Sequence, residues 1–367
     1  DVYSLPFTII TFVMAGLAWA ISGDPVRALS VLVVATPCPL LIATPVAIVS
    51  GMSRAASRGV IIKSGGVLEQ LSRLKAIAFD KTGTVTQGKP RVSSVEPCEV
   101  SKRELLKIAA SVEKYSTHAL AAVVVEESKA QKIELYKVTE NKEYPGKGIS
   151  AKVGGKKVLV GSYAFWKEKG MDLSSPVCIG HGIKNNTALF VASNNQYIGT
   201  ITFVDPLRPE ARHTISQLKR LGVDKFIMLT GDRKQVGERI GKELGIGDVH
   251  SQVLPAQKVE LLLEEKKKSS PIAMVGDGIN DAPVLAASDV GIALGAKGST
   301  AASEAADAVI MQDDLGRLSE LVAISKRSVT IAKQSIFTGI GLSSVLMIFA
   351  LFGFIVPVVG AFMQEAI

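Results

Sequence analysis

The sequence predicts an α/β protein with a doubly wound parallel sheet, a second domain inserted into the sheet domain, and transmembrane helices at both ends. Uncharged apolar runs lie near both ends of the chain, and charged residues are concentrated in the middle. In the middle part, short apolar runs recur that end in acidic or glycine-rich turns. Because 367 residues are too many for one ordinary domain, we expect separate membrane and water-facing parts.

Two uncharged apolar runs, residues 5–22 and 28–50, open the chain. Each is close to the roughly 20 residues that a helix needs to cross a bilayer. The connection at residues 23–27 is short, which favours a membrane hairpin over two buried helices of a soluble domain. The second run contains Thr36-Pro37-Cys38-Pro39. Prolines at mid-membrane depth free helix carbonyls, so Cys38 is a candidate cation ligand, although a lone membrane cysteine can be simply a small apolar residue.

A third uncharged run, residues 336–353, lies near the other end, and a fourth occupies residues 354–363. Since the chain ends at Ile367 shortly after, we expect the last helix to be truncated. Met363 and Glu365 are further candidate cation ligands, because a carboxylate inside a membrane is costly and usually functional.

Basic residues flank the middle region on both membrane-proximal sides: Arg54, Arg58, Lys63, Arg73, Lys75, Lys326, Arg327 and Lys333. The positive-inside rule therefore predicts that the middle region faces the cytoplasm. The net charge of +8 does not indicate nucleic-acid binding, because basic and aromatic residues are not interleaved. The three cysteines, Cys38, Cys98 and Cys178, are too widely spaced for a disulfide framework or a zinc-binding pair.

Four apolar runs in the middle region predict the strands of the parallel sheet: residues 75–80, 225–232, 272–277 and 290–295. Helical patterns separate the runs, as in a doubly wound sheet. Functional groups in such sheets lie at the carboxyl ends of strands, where Asp80, Thr230, Asp232 and Asp277 fall. A glycine-rich, strand-like stretch interrupts the pattern at residues 96–203, which predicts the inserted domain.

The sequence Asp80-Lys81-Thr82-Gly83-Thr84 follows the first predicted strand. A carboxylate at a strand end, next to a lysine and a glycine turn, is well placed to attack a phosphoryl group and form an aspartyl phosphate. Phosphatases of this fold carry a second aspartate two residues after the nucleophile, and Thr82 holds that place here. Because threonine does no acid–base chemistry near neutral pH, we expect a long-lived phosphoenzyme.

Two carboxylates follow a later predicted strand, in Gly276-Asp277-Gly278-Ile279-Asn280-Asp281. Oxygen ligands of this kind suit Mg²⁺, and we expect them to face Asp80. The phosphoryl oxygens are predicted to be held by Thr230, Gly231, Asp232 and Lys258. Any one of these segments could be an ordinary turn, but the motifs rarely arise together in this order by chance.

The motifs DKTGT, TGD and GDGIND, in this order, resemble those of P-type ATPases, and the proline-cysteine break before them resembles the heavy-metal (type IB) branch. The resemblance covers nearly the whole chain. It implies a HAD-like fold, ATP and Mg²⁺ as cofactors, and ATP-driven transport of a heavy-metal cation. The implied roles are phosphorylation for Asp80, Mg²⁺ binding for Asp80, Thr82 and Asp277, and phosphate-site contacts for Lys81, Thr230, Gly231, Asp232, Lys258, Asn280 and Asp281.

The resemblance also assigns an expected role to each part of the chain. Residues 1–52 are expected to form a transmembrane hairpin with the ion site, residues 53–95 and 204–328 the phosphorylation domain, residues 96–203 an α+β nucleotide-binding domain, and residues 329–367 transmembrane helices. The ATP-binding positions of heavy-metal pumps are matched by Glu113, His118, Gly146, Gly148 and Gly161. Proline usually follows this histidine; Ala119 stands here, so we expect a less rigid turn.

Thr36 stands where related pumps often have a cysteine, and it is a further candidate ligand of the transported ion. One thiolate instead of two favours Zn²⁺, Co²⁺, Ni²⁺ or Fe²⁺ over Cu⁺, and Cd²⁺ is another candidate. The predicted partners are ATP, a heavy-metal ion and the lipid bilayer of a bacterial plasma membrane. The sequence has no Thr-Gly-Glu loop, so we expect it to lack the actuator domain. Two alternatives stay open: a membrane-tethered phosphohydrolase of the same superfamily, and a non-catalytic metal-binding membrane protein.

Overall fold

The computed structural model describes residues 4–35, 38–170, 187–277, 281–295 and 300–365. The helices in these ranges are α1 (Ser4–Ser22), α2 (Pro25–Val34), α3 (Cys38–Ser57), α4 (Gly65–Ser72), α5 (Lys102–Glu113), α6 (Ala119–Ala130), α7 (Tyr163–Glu168), α8 (Ala211–Arg220), α9 (Lys234–Leu244), α10 (Pro255–Lys268), α11 (Ala282–Ala287), α12 (Thr300–Ala305), α13 (Gly316–Leu351) and α14 (Pro357–Glu365). The strands are β1 (Val60–Ile62), β2 (Ala76–Asp80), β3 (Arg91–Pro97), β4 (Val138–Tyr144), β5 (Gly148–Val153), β6 (Lys156–Gly161), β7 (Thr187–Ser193), β8 (Gln196–Val204), β9 (Lys225–Leu229), β10 (Asp248–His250), β11 (Ile272–Gly276), β12 (Val290–Leu294) and β13 (Ala308–Ile310).

The chain divides by compactness into two units. The first comprises Asp1–Ile77, His213–Lys225 and Leu261–Ile367, and the second comprises Ala78–Arg212 and Phe226–Glu260. The described apolar helices at both ends of the chain lie in the first unit, and the predicted inserted domain lies in the second.

The larger sheet has the strand order β1-β13-β12-β11-β2-β9-β10. Strands β9 and β10, β11 and β12, and β12 and β13 pair in parallel, whereas the short edge strand β1 is antiparallel to β13. Every residue of β2, β11 and β12 is buried, as expected of parallel strands that are covered on both faces. The predicted doubly wound sheet is confirmed, since each predicted run contains one of its strands.

A separate antiparallel sheet, with the order β3-β8-β7-β6-β5-β4, forms the inserted domain. Helix α5 begins where Ser101 accepts a hydrogen bond from the Glu104 N–H, and Leu105 and Leu106 on this helix are buried. Their side chains join a core that includes Ile149 and Ile201 of the sheet. The predicted α+β character of this domain is confirmed.

Helix α1 ends at a tight turn, as the predicted hairpin requires. Gly23 has φ +65°, a backbone conformation that favours glycine, and Asp24 then caps α2 by accepting a hydrogen bond from the Val26 N–H. The second predicted span, residues 28–50, is two helices, because α2 ends at Val34 and α3 begins at Cys38. The Pro-Cys-Pro sequence predicted this interruption.

Two described helices, Leu5–Ser22 and Gly316–Leu351, contain stretches long and apolar enough to cross a membrane. Their large apolar side chains include exposed ones such as Trp19 at 59% and Phe337 at 54%, which water would not favour. Helix α13 is continuous through the expected domain boundary at residues 328 and 329. The stretch that is long and apolar enough to cross a membrane and the part before it therefore share one helix.

One expectation about the cysteines is wrong. Cys98, which directly follows β3, is disulfide-bonded. Sequence spacing could not reveal this bond, because a disulfide depends on the distance between Cα atoms in the folded chain.

Candidate active site

Asp80 is the last residue of the buried strand β2, and the chain turns directly after it. Gly83 in that turn has φ +73°, which a side chain would strain. Thr82 is exposed, whereas Lys81 and Thr84 on either side of it are buried. The turn therefore leaves Thr82 accessible beside a carboxylate that the sheet holds in place.

Lys258, on helix α10, forms an ion pair with Asp80. Its Nζ lies 2.6 Å from Asp80 Oδ1, and the two residues are 9% and 7% exposed. The short, shielded contact favours the ionised carboxylate, which is the nucleophilic form. The structure thus brings together the predicted nucleophile and the predicted phosphate-site lysine.

A second ion pair joins the turn after Asp80 to the predicted Thr-Gly-Asp segment. Lys81 Nζ lies 2.7 Å from Asp232 Oδ2, and the Asp232 N–H donates to Thr230 Oγ1 over 3.1 Å. Thr230 is buried and follows strand β9, whereas Gly231 is exposed. Lys81 therefore connects two loops of the site.

Sequence reasoning missed Asp205 and Arg208, which support the turn after Asp80. Arg208 is 6% exposed and donates to the backbone carbonyls of Thr84 and Gly83, each over 2.8 Å. Asp205 accepts a hydrogen bond from Thr86 Oγ1 over 2.6 Å. The available signal was the charged Asp205-Pro206-Leu207-Arg208 segment, which lies directly after the last strand of the inserted domain.

The predicted Mg²⁺ carboxylates Asp277 and Asp281 belong to the first unit. Asp277 is exposed directly after β11, and Asp281 is 2% exposed just before α11. A Cβ at Gly276 would lie 2.6 Å from Asp281 Oδ2, so glycine is needed for this carboxylate to lie against the end of β11. Asn280 lies outside the described residues.

A cavity of about 140 Å³ in the inserted domain brings together predicted ATP-binding residues. The lining residues that the site prediction named are Glu113, His118, Gly146 and Gly148. Lys147, in the turn between the two predicted glycines, also lines the cavity, as does Glu143, which was not predicted. The cavity thus presents acidic, basic and imidazole groups together with exposed backbone.

Charge is distributed unevenly around this cavity. Burial raises the pKa of Glu113 to about 7, a hydrogen bond from Ser116 opposes the rise, and the nearby Glu143 charge adds to it. Hydrogen bonds from Ser116 and Thr117 lower the pKa of Glu143. Near neutral pH, Glu143 is therefore ionised and Glu113 is partly protonated, which makes Glu113 able to donate as well as accept.

The structure gives Gly148 and Gly161 a packing reason that the sequence did not show. They are opposite each other in strands β5 and β6. A Cβ on Gly148 would lie 2.3 Å from the Val160 carbonyl oxygen, and one on Gly161 would lie 2.7 Å from the Lys147 carbonyl oxygen. Gly146 differs, because it has φ +71° and open space around its Cα.

The candidate ligands of a transported ion remain predictions. Thr36 lies outside the described residues, as does the side chain of Cys38, whose backbone begins α3. Met363 and Glu365 are exposed, and Gln364 between them is 7% exposed. Among the described side chains, no group of three or more His, Cys, Asp or Glu residues is placed to hold a metal.

Comparison with known proteins supports the family resemblance that the sequence motifs indicate. Residues 74–289 match the family of haloacid dehalogenase-like hydrolases. The chain is 35% identical to a probable cadmium-transporting ATPase from Staphylococcus aureus (strain MRSA252), over 90% of this chain and 46% of that protein. It is 36% identical to a copper-exporting P-type ATPase from Bacillus subtilis (strain 168), over 96% of this chain and 44% of that protein. The chain spans about half the length of these curated relatives.

A solved structure of a similar protein also matches the fold of this chain. The chain matches the crystal structure of a zinc-transporting PIB-type ATPase in the E2.Pi state with a TM-score of 0.87 and 33% identity, covering 100% of this chain and 61% of that one. The family match extends over more than half of the chain and includes both Asp80 and Lys258. The chain therefore belongs to the haloacid dehalogenase-like hydrolases, and over most of its length it is similar to type IB P-type ATPases.

Proposed function

We propose that this chain is the catalytic part of a pump that uses ATP to move a heavy-metal cation across a bacterial plasma membrane. The observation that carries the proposal is the buried Asp80–Lys258 pair, with an N–O distance of 2.6 Å, at the end of β2. An ionised carboxylate held at a strand end and followed two residues later by Thr82 suits phosphate capture without rapid hydrolysis.

In the proposed reaction, an Asp80 carboxylate oxygen attacks the γ-phosphorus of ATP. A new oxygen–phosphorus bond forms, the bond to the β,γ-bridging oxygen breaks, and ADP leaves with that electron pair. Lys258 and Thr230 hold the developing charge on the transferred phosphoryl group. The 2.7 Å ion pair between Lys81 and Asp232 holds the turn after Asp80 against the Thr-Gly-Asp loop.

We propose Mg²⁺ as the cofactor from the chemistry of the oxygen donors in the motifs. Asp80, Thr82 and Asp277 offer oxygen donors, the ligand type that this ion prefers, and Thr82 and Asp277 are exposed. When bound there, the ion would neutralise charge between the carboxylate and the phosphate. Asn280 and Asp281 are proposed to complete the phosphate site.

ATP is proposed to bind in the cavity of the inserted domain, through Glu113, His118, Gly146 and Gly148. Gly161 would support this site by allowing β5 and β6 to approach closely. The cargo is proposed to be a soft or borderline metal cation bound near Cys38, since the relatives are named for cadmium and copper and the structural match for zinc. The basic flanks of the apolar helices support a cytoplasmic position for the catalytic domains.

Phosphoenzyme formation tests the proposal. In the full-length parent, γ-labelled ATP should leave acid-stable label on the wild type and none on Asp80→Asn, which keeps the size of the side chain but loses the nucleophile. Equal labelling of Asp80→Asn would overturn the proposed mechanism, and no labelling of the wild type under any metal would favour a non-catalytic metal-binding protein.

The tethered phosphohydrolase makes a different prediction. It requires rapid release of phosphate, whereas the pump requires a phosphoenzyme that persists until motion in the membrane has occurred. Introducing Thr82→Asp should restore an acid–base group and shorten the life of the label by about 100-fold, measured by a chase with unlabelled ATP. If the wild-type label already decays as fast as that of the variant, the phosphohydrolase is the better description.

A further inference from the structure

A carboxylate on strand β4 holds the turn that precedes helix α6. Glu143 Oε1 accepts hydrogen bonds from Ser116 Oγ and from the Thr117 N–H, each over 2.8 Å. Thr117 Oγ1 lies 3.2 Å from Oε1 and 3.3 Å from Oε2 of the same carboxylate. Glu143 is 26 residues away from Thr117 in sequence, so the contact joins two separate parts of the inserted domain.

The anchored turn orients His118. Ser116 Oγ accepts a hydrogen bond from the His118 N–H over 3.2 Å, and His118 Nδ1 accepts one from the Leu120 N–H over 3.2 Å. With Nδ1 occupied as an acceptor, the neutral ring carries its proton on Nε2. The ring is thereby fixed as a lining group of the cavity that also contains Glu113 and Glu143.

We propose that Glu143 is a positioning residue of the nucleotide site, which holds the Ser116–Thr117 turn so that His118 is presented to the base of ATP. The inference rests on the proposed function, because it takes the cavity to be the ATP site. Thr117 and His118 are exposed and Glu143 is only half-buried. The contacts therefore matter more for the conformation of the turn than for the stability of the fold.

The first residue of α6 offers an independent way to fix the same turn. Ala119 follows the N-cap residue His118, and a first helical position tolerates proline because its N–H has no partner within the helix. His118 has φ −70° and ψ 139°, the extended conformation that a following proline requires. Ala119→Pro should therefore stiffen the turn without changing its shape.

The binding of AMP-PCP, an ATP analogue that is not hydrolysed, tests the inference in the full-length parent. Glu143→Ala should raise the Kd for AMP-PCP about tenfold, because the turn loses all its carboxylate contacts. Glu143→Gln keeps one acceptor oxygen and should raise the Kd by less than about threefold. Glu140→Ala is the matched control, since Glu140 lies on the same strand and pairs at the surface with Lys152 at 2.8 Å.

A double-mutant cycle separates positioning from a general structural role. In a His118→Ala background, Glu143→Ala should have no further effect on the Kd. In a background that retains His118, adding Ala119→Pro to Glu143→Ala should reverse at least about half of the rise in log Kd that Glu143→Ala causes. Additive effects of the His118 and Glu143 changes would overturn the proposal, and so would a Glu143→Gln variant as weak as Glu143→Ala. A wild type that binds no AMP-PCP would refute the ATP site itself, whereas tight binding that is indifferent to Glu143 would refute only this inference.

Discussion

At the scale of single residues, the pair of Asp80 and Lys258 determines what the phosphorylation site can do. The two groups are nearly excluded from water, and the ammonium lies against one carboxylate oxygen at 2.6 Å. Removing one partner of such a pair leaves a buried charge without compensation. We therefore expect Lys258 to contribute both to the stability of the fold and to the stabilisation of charge during phosphoryl transfer.

Lys258→Met keeps the length of the side chain and removes its charge. We expect the rate of phosphoenzyme formation to fall by about 100-fold and the free energy of unfolding to fall by about 3 kcal/mol. Rapid-quench labelling and denaturant unfolding measure the two effects. Lys267→Met, an exposed position on the same helix, should change neither, and an unchanged labelling rate in Lys258→Met would contradict the proposed role.

Glu113 links stability to pH through its raised pKa. Its pKa rises from an ordinary value of 4.5 to about 7, mainly because of burial, so between these values the folded state keeps a proton that the unfolded state has lost. Its contribution to stability is therefore greatest below pH 4.5 and falls as pH rises to about 7, by a total of about 3 kcal/mol. Thermal unfolding from pH 5 to pH 8 should show a smaller loss of Tm in Glu113→Gln than in the wild type. If Tm falls equally with pH in the wild type and in Glu113→Gln, the raised pKa of Glu113 is contradicted.

At the scale of elements, the close approach of β5 and β6 depends on two facing glycines. In Gly161→Ala the new methyl group would lie 2.7 Å from the Lys147 carbonyl oxygen and 2.6 Å from the Phe165 ring. We expect the variant to lose about 2 kcal/mol of stability and to bind AMP-PCP more weakly, because the strands must separate. Gly247→Ala is the control, since nothing lies within 4 Å of its added Cβ. A Gly161→Ala variant with the Tm of that control would show that the strands can shift at little cost.

The sequence predicted the elements better than the contacts between them. Buried parallel strands are short apolar runs, so β2, β9, β11 and β12 could be recognised directly, along with the groups at their ends. The contacts of Glu143 with Thr117 and of Arg208 with Gly83 join residues far apart in the chain, and no local pattern encodes them. The sequence also did not reveal that α13 is one continuous helix. The pattern of its apolar residues changes along its length because the environment of the helix changes, although the backbone stays helical throughout.

At the scale of the whole molecule, the proposed pump needs communication between a cation site in the membrane and Asp80. We expect Cys38→Ala, measured in the full-length parent, to lose metal-stimulated phosphorylation from ATP while AMP-PCP affinity stays unchanged. The physical reason is that the thiolate is the proposed metal ligand, whereas the cavity of the inserted domain lies in a different unit of the chain. Cys38→Ser, which keeps the size but offers a harder ligand, should shift the order of preferred metals. Full metal stimulation in Cys38→Ala would place the ion elsewhere.

Helix α13 has a mechanical consequence for such communication. Its 36 residues make it about 54 Å long at 1.5 Å per residue, nearly twice the roughly 30 Å thickness of a bilayer's hydrocarbon layer. If some 20 residues lie in lipid, about 24 Å of the helix extends beyond the hydrocarbon layer, where Leu318, Leu321 and Val322 are buried in the protein, and a tilt of about 10° would move that end by about 4 Å. Because this helix is unbroken and contains no proline, a movement of its buried N-terminal end would tilt its apolar end as well.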